Sequence, residues 1–158
     1  MQGITHIRVD DRLIHGQVAT FWTNELGVNR IMVINDAIAN DPTQKSILRM
    51  AAPAHVSTSI ITHETAVTNI SNGKYAGQKV LVVVKSPLDV LKLVEAGLDI
   101  TKFNVGNISS RPNTVALKPN ISVTKEEREA LEKLLDKGIE ITSIMTPSDS
   151  NDLLKDHM

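Results

Sequence analysis

The stretch KVLVVVKSPLDVLKLVEAG, residues 79–97, joins a strand pattern directly to a helix pattern. Its apolar run, Val80–Val84, has no polar face, as expected of a central parallel strand that helices cover on both sides. Ser86 and Pro87 then form a typical helix start, with serine as the cap and proline in the first turn. Gly97 stands where a left-handed cap ends a helix. The stretch therefore predicts one strand–helix unit of a parallel α/β sheet.

The same alternation recurs along most of the chain. Helix starts are predicted at Asp41–Pro42 and at Thr124, where Glu127 completes a capping box, and Gly138 ends the second of these helices. Residues 106–122 are the one stretch predicted to be irregular. The apolar runs that predict strands are 4–9, 30–34, 56–61, 79–84, 103–105 and 140–145. We therefore predict an α/β fold with an open, mainly parallel β-sheet and helices on both faces, in three layers.

Composition excludes several functional classes. A chain of 158 residues fits a single domain over 1–158, and its hydrophobic and charged fractions, 41% and 22%, are those of an ordinary globular protein. The net charge of −1, without a cluster of Lys and Arg, argues against nucleic-acid binding. With no cysteine there is no disulfide, catalytic thiolate or Cys-based zinc site. The N-terminus lacks a signal peptide and the apolar runs are too short to span a bilayer, which predicts a cytoplasmic protein.

Common cofactor motifs are also missing. The sequence has neither a Walker A loop nor a G-x-G-x-x-G loop, so nucleotide binding has no support. The five histidines lack the H-x-x-x-H spacing of zinc enzymes. We therefore expect no metal and no other cofactor.

Charge is concentrated in VDDRLIHGQV, residues 9–18, directly after the first predicted strand. Ligands of open α/β sheets bind beyond the carboxyl ends of the strands, which is where this segment lies. A neutral imidazole at His15 could accept a phosphoryl group, and Arg12 could bind that group through its planar fork. The amide groups of Gly16 and Gln17, at the start of the first helix, would favour the same anion.

The acidic residues of this segment need a different role because they repel phosphate. Asp10 could orient the imidazole of His15 or hold Arg12 in place, and Asp11 is expected to be solvated. Each residue taken alone also fits an ordinary cap, turn or surface role. Only their combination at the end of a strand indicates a site.

Other phosphoryl-transfer and anion-binding proteins remain alternatives. The pair Asp10–Asp11 with Lys85 fits a receiver-like regulatory domain phosphorylated on aspartate, but the third strand runs into residues 62–64 without the required lone Asp, and His15 would have no role. A phosphohistidine-type phosphatase would need Arg, not Ile14, before the histidine. A small-anion-binding module without turnover is the remaining alternative.

The segment RVDDRLIHGQVATFW, residues 8–22, closely resembles the active-site segment of the IIB components of the mannose–fructose–sorbose family of the bacterial phosphoenolpyruvate-dependent sugar phosphotransferase system. The resemblance covers the whole chain in the same order, through NDAIANDPTQK (35–45), KYAGQKVLVVVKSPLDVLKLVEAG (74–97), FNVGNIS (103–109) and ISVTKEE (121–127). It implies a mainly parallel sheet with helices on both sides.

The resemblance also implies a phosphotransferase activity. His15 would accept a phosphoryl group on Nδ1 from a phosphohistidine of the IIA protein or domain and pass it to a sugar, while the membrane components IIC and IID move that sugar inward. Asp10 and Arg12 would support the transfer, with Gly16, Gln17 and Arg12 binding the phosphate. The implied location is cytoplasmic, peripherally associated with the membrane transporter, and a homo-oligomer is left open.

Two further expectations concern the surroundings of this segment. Some family members carry a basic residue where this chain has Gln44, so Gln44 would act there as a neutral donor or Lys45 would replace it. Exposed apolar side chains near Leu13, Ile14 and Trp22 are expected to serve as a docking surface for the partners.

Overall fold

The protein is described by a computed structural model that covers residues 1–16 and 18–158. The strands are β1 Ile4–Asp10, β2 Arg30–Ile34, β3 Ser57–Ile61, β4 Val80–Val84, β5 Lys102–Asn107, β6 Val115–Lys118, β7 Ile121–Val123 and β8 Glu140–Thr142. The α-helices are α1 Gly16–Leu26, α2 Asp36–Ala39, α3 Pro42–Ala51, α4 His63–Ser71, α5 Pro87–Glu95 and α6 Lys125–Asp136, and a 3-10 turn follows at Leu154–His157.

The main sheet is parallel throughout, in the order β3-β2-β4-β1-β5-β8. Its centre is β1, where Val9 pairs with Val84 of β4 and with Val105 of β5. The chain leaves β1 toward β2 on one side and crosses from β4 to β5 on the other. This reversal makes the carboxyl end of β1 the place where such a sheet opens a crevice for a ligand.

Helices cover both faces of the sheet, as the alternation along β4 requires. Leu81 and Val83 point to the layer of α1 and α3, where Trp22 and Leu48 are buried. The remaining residues of β4 face α4, α5 and α6. The predicted open, mainly parallel α/β sheet in three layers is therefore confirmed.

The predicted helix caps are confirmed as well. The side chain of Asp41 accepts hydrogen bonds from the first amides of α3. Ser86 and Thr124 each form a capping box at the start of α5 and α6, the latter with Glu127. These local signals satisfy helix-terminal amides that would otherwise lack partners.

Three parts of the fold differ from the prediction or go beyond it. The prediction that 106–122 is irregular is wrong, because β6 lies within this stretch and pairs with β7, which begins at Ile121, in a two-stranded antiparallel sheet. The sixth strand ends at Thr142 rather than at residue 145, because the chain turns there and the amide of Ser143 donates to Asp152. Helices α2 and α4 were not predicted from the sequence.

Within the part of the chain that the structure covers, no helix combines the length and the apolar character needed to cross a membrane.

Candidate functional site

The turn after β1 is fixed by two buried apolar side chains. The amide of Leu13 donates to the carbonyl of Asp10 at 2.9 Å, and Leu13 has a positive φ of 62°. A left-handed conformation costs such a residue about 1–2 kcal/mol, which the burial of its side chain offsets. Leu13 and Ile14 are only 7% and 5% exposed and pack beneath the turn. His15, the next residue, is left at the surface.

Asp10 is the centre of a hydrogen-bonded cluster although its side chain is fully buried. Oδ1 accepts from the amide of Arg12 at 3.0 Å and from its Nε at 2.9 Å, and Oδ2 accepts from its Nη2 at 2.8 Å. Oδ2 also accepts from Nε and Nη2 of Arg8, at 3.3 and 3.2 Å. A buried carboxylate needs such partners, because burial without them would favour its neutral form.

Arg8 lies beneath the site and is 2% exposed. Besides Asp10 it contacts the carbonyl of Ile144 at 3.4 Å and lies 5.2 Å from the ring of Trp22, a cation–π contact. Burial lowers the pKa of Arg8, while the neighbouring charge of Asp10 opposes that shift. The space for this guanidinium depends on Gly106, because a Cβ there would lie 2.1 Å from Cζ of Arg8.

The position of α1 is fixed by Trp22. Its Nε1 donates to the carbonyl of Met145 at 3.0 Å, and its ring stacks on His6 of β1 with the centroids 4.7 Å apart. These contacts attach the helix to β1 and to the segment after β8. The ring is only 2% exposed.

The burial of these side chains narrows one prediction. Exposed apolar side chains were expected near Leu13, Ile14 and Trp22 as a docking surface for partners, but these three residues are themselves buried in the core. The exposed aromatic side chain of α1 is Phe21, which is 53% exposed.

Asp11 has a structural role rather than the expected solvated one. Its carboxylate accepts from the amide of Ser109 at 2.7 Å and from Nδ2 of Asn107 at 2.9 Å. The amide of Asp11 in turn donates to the carbonyl of Asn107 at 3.0 Å. These contacts attach the loop after β5 to the loop that carries His15.

His15 is the N-cap residue of α1 and is exposed. Its carbonyl accepts a hydrogen bond from the amide of Ala19 at 3.0 Å. This is the first bond of the regular helical pattern, so that pattern offers no partner to the amides that precede Ala19. Its side chain makes no capping hydrogen bond. Gly16 adopts a φ of +23°, and a Cβ there would meet open space. The predicted part of Gln17 in phosphate binding lies outside the described residues.

Arg12 is the exposed cation of this corner, with 31% of its side chain accessible. The hydrogen bond to Asp10 raises the pKa of Arg12, so its charge is permanent. Of the two roles predicted for Asp10, the structure therefore shows the second, in which Asp10 holds Arg12 in place. Asp10 bonds to Arg8 and Arg12, and across the residues covered here none of its hydrogen bonds reaches His15.

Gln44 and Lys45 lie in the first turn of α3. The amide of Gln44 donates to Asp41, as part of the helix cap. Among the residues that the structure describes, neither Gln44 nor Lys45 is hydrogen-bonded to Asp10, Arg12 or His15.

The arrangement suits an anion better than a cation. Both arginines occupy the oxygens of Asp10, which a receiver-like domain would keep free for a metal ion. Within 1–16 and 18–158, no three side chains of His, Asp or Glu are grouped to hold a metal. An exposed imidazole, a fixed guanidinium and a helix N-terminus are the kinds of group that nucleophilic transfer and binding of a phosphoryl group require.

Sequence reasoning missed Arg8, although a signal for it existed. Residues two apart on a strand share a face, so Arg8 and Asp10 were bound to point the same way. The contacts of Ile144 and Met145 had no comparable signal, because they come from the segment after β8.

Comparisons with known proteins agree with this geometry. The family described as "PTS system sorbose subfamily IIB component" matches residues 4–158. The chain is 32% identical over 152 residues to the fructose-specific EIIB component of Bacillus subtilis, covering 96% of this chain and 93% of that protein. It is 41% identical over 134 residues to the mannose-specific EIIAB component of Escherichia coli K12, covering 85% of this chain but 42% of that longer protein.

A solved structure gives the same result. The IIB domain of the sorbose permease from Klebsiella pneumoniae superposes with a TM-score of 0.92 at 33% sequence identity, covering 99% of this chain and 96% of that one. The likeness therefore includes the whole sheet and the loops at its carboxyl edge.

Proposed function

The chain belongs to the sorbose-subfamily IIB components of the phosphotransferase system, and from this premise we propose that it is a protein-histidine:sugar phosphotransferase whose phospho-carrier is His15. The single observation that carries the assignment of the residue is the exposed imidazole at the start of α1, three positions after an arginine that a buried carboxylate holds in place.

In the first step, a ring nitrogen of neutral His15, Nδ1 by family resemblance, attacks the phosphorus of a phosphohistidine on IIA. The new P–N bond forms as the P–N bond to the donor breaks, and the donor imidazole leaves with the electron pair. In the second step, a sugar hydroxyl oxygen attacks the phosphorus and the P–N bond breaks with its electron pair going to His15, while the hydroxyl proton passes to solvent and solvent returns a proton to the ring, which leaves as neutral imidazole. In both steps the protein supplies position and positive potential.

Each supporting group has a defined part. Arg12 binds the phosphoryl oxygens through its guanidinium, which Asp10 keeps in one orientation. The amides at the start of α1 add partial positive charge near His15, with Gly16 leaving room for a close approach. These contacts strengthen as charge spreads over the transferring group, so they accelerate transfer as well as bind phosphate.

The partners follow from the same assignment. The donor is a IIA protein or domain, and the mannose-specific relative carries an EIIAB name that combines the two functions. The acceptor is a sugar at the membrane components IIC and IID, with which this chain would associate peripherally. Its named relatives are specific for different sugars, among them mannose, fructose and sorbose. We therefore expect the membrane components to select the sugar.

The test is phosphorylation by the cognate IIA, followed by mass spectrometry of the labelled peptide under alkaline handling. The wild-type chain should carry one phosphoryl group, on His15. The variant His15→Ala should lose the label and keep its melting temperature, because an exposed residue adds little stability. The matched control is His55→Ala, which removes another exposed histidine and should leave labelling unchanged.

Two results would overturn the assignment. Labelling that persists in His15→Ala would place the phosphoryl group elsewhere. A label that survives acid but is lost in alkali would be an acyl phosphate on aspartate and would favour the receiver-like alternative.

A further inference from the structure

The cluster beneath His15 contains a second arginine that no phosphoryl group can touch. Arg8 and Asp10 are 2% and 0% exposed, whereas Arg12 reaches the surface. All three side chains meet at one oxygen, because Oδ2 of Asp10 accepts from Nη2 of Arg8 at 3.2 Å and from Nη2 of Arg12 at 2.8 Å. The buried arginine therefore acts on the site from below, by its hydrogen bonds to Asp10 and by its charge.

The charges of this corner explain why a second arginine is needed. Asp10 by itself neutralises Arg12, and the carboxylate of Asp11 lies close enough to affect Arg12 as well. With Arg8 included, the two arginines balance the two aspartates. Without the charge of Arg8, the net charge of residues 8, 10, 11 and 12 would be −1, which would repel a phosphoryl dianion.

Burial makes the charge of Arg8 effective. A side chain that is 2% exposed is poorly screened by solvent and salt, so its field extends to the groups around it. The ring of Trp22 and the carbonyl of Ile144 stabilise this buried cation without adding a negative charge. Gly106 leaves the room it occupies. Three different elements thus hold a cation at this position.

We propose that Arg8 is a positioning residue that also sets the phosphoryl affinity of the site: it holds Asp10 and compensates its charge, so that Arg12 can bind the phosphoryl group. The inference rests on the function proposed above and extends it to a residue beneath the surface. It predicts that the charge of residue 8 governs the equilibrium between phosphorylated and unphosphorylated chain.

The experiment measures the equilibrium constant for phosphoryl transfer from phosphorylated IIA to the full chain. Arg8→Met, which removes the charge, should lower this constant about tenfold or more, whereas Arg8→Lys should stay within about threefold of the wild type. Adding Asp10→Asn to Arg8→Met restores the balance of charges and should raise the constant again by about threefold or more. A melting curve for each variant establishes that the folded chain is measured.

A matched control removes an arginine from the opposite end of the sheet. Arg30 begins β2 and is held by Gln78 and Ser59 at 2.8 Å each, away from the carboxyl edge. Arg30→Met should therefore leave the transfer equilibrium unchanged even if it lowers the melting temperature. A merely structural role for Arg8 would make its variants behave in the same way.

The outcomes separate this inference from the proposed function. If the wild-type chain is not labelled on His15, the proposed function fails. If it is labelled and folded Arg8→Met transfers within about twofold of the wild type, only the role of Arg8 fails. If Arg8→Met does not fold, Arg8→Lys can still refute the proposal, because a loss as large as about tenfold in that variant contradicts a role based on charge.

Discussion

The carboxylate of Asp10 accepts two parallel hydrogen bonds from the guanidinium of Arg12, from Nε to Oδ1 at 2.9 Å and from Nη2 to Oδ2 at 2.8 Å. Such a fork fixes the plane of the guanidinium as well as its place. In the described part of the chain Nη1 has no hydrogen-bond partner, so it remains available to an anion. The pair thus converts a flexible side chain into a preorganised donor three residues before His15.

Replacing Arg12 by lysine should separate charge from geometry. Arg12→Lys keeps the cation but cannot form the fork, so the rate of phosphoryl transfer from IIA should fall by about 10- to 100-fold, the equivalent of losing one or two charged hydrogen bonds. Rapid-quench measurement of labelling gives this rate. An unchanged rate would mean that Arg12 contributes only its charge.

Replacing Asp10 by asparagine should lower the stability of the fold. Asp10→Asn leaves the buried Arg8 without a counter-charge, and breaking a buried pair in this way costs about 3–5 kcal/mol. Urea denaturation should show this loss in the free energy of unfolding. The matched control Asp99→Asn changes an exposed residue and should alter that free energy by less than about 0.5 kcal/mol. Equal effects of the two substitutions would contradict the role of Asp10.

Local patterns account for the part of this structure that the sequence predicts. The strand run Val80–Val84 and the caps at Ser86 and Thr124 depend on neighbouring residues, so their elements follow from the sequence. That ligands are expected at the carboxyl end of β1 follows from the topology of parallel sheets. His15 and Arg12 lie at that end because they directly follow β1.

The remaining features depend on contacts between distant parts of the chain. Met145 reaches Trp22 across 123 positions and Ser109 reaches Asp11 across 98, and no local pattern encodes such pairs. The burial of Leu13 and Ile14 also escapes prediction, because a short turn rich in charge looks solvent-exposed. Only the packing of α1 on the sheet turns these two residues inward.

A methyl group at Gly106 should disturb the site from below. The Cβ of Gly106→Ala would lie 2.1 Å from Cζ of Arg8, which is closer than any real contact, so the guanidinium must move. We expect unfolding to become easier by about 1–3 kcal/mol, as for other overpacked positions, and transfer to slow. In the double variant of Gly106→Ala with Arg8→Lys, the guanidinium that clashes with the new Cβ is absent. The loss of stability should therefore be smaller than the sum of the losses in the two single variants, as a double-mutant cycle would show. Strictly additive effects would contradict this account.

Trp22→Phe tests the attachment of α1 to the segment after β8. The change removes the donor to Met145 but keeps an aromatic ring beside His6 and Arg8, so stability should fall by about 1–3 kcal/mol from the carbonyl left unpaired and the smaller ring. Thermal unfolding followed by circular dichroism gives the value. Phe21→Leu, at an exposed position of the same helix, should have little effect. A loss in Phe21→Leu as large as that in Trp22→Phe would argue against the hydrogen bond.

His6 should make the fold less stable in acid. Burial lowers the pKa of His6 to about 4, with the positive charges of Arg8 and Lys102 acting in the same direction. The unfolded chain takes up this proton near pH 6.5 and the folded chain only near pH 4, so the unfolded state binds more protons in between. Stability from this residue is therefore complete above about pH 6.5 and falls as the pH drops toward 4, by roughly 3 kcal/mol in all.

The variant His6→Phe isolates this contribution from that of the carboxylates. It keeps a ring to stack on Trp22 but cannot titrate, so its free energy of unfolding should fall less than that of the wild type between pH 7 and pH 4. The difference should approach roughly 3 kcal/mol, measured by urea denaturation at each pH. His55→Phe, at an exposed site, should follow the wild-type curve. If His6→Phe loses as much stability in acid as the wild type, the ring of His6 does not resist protonation and the stacked arrangement with Trp22 must tolerate a charge.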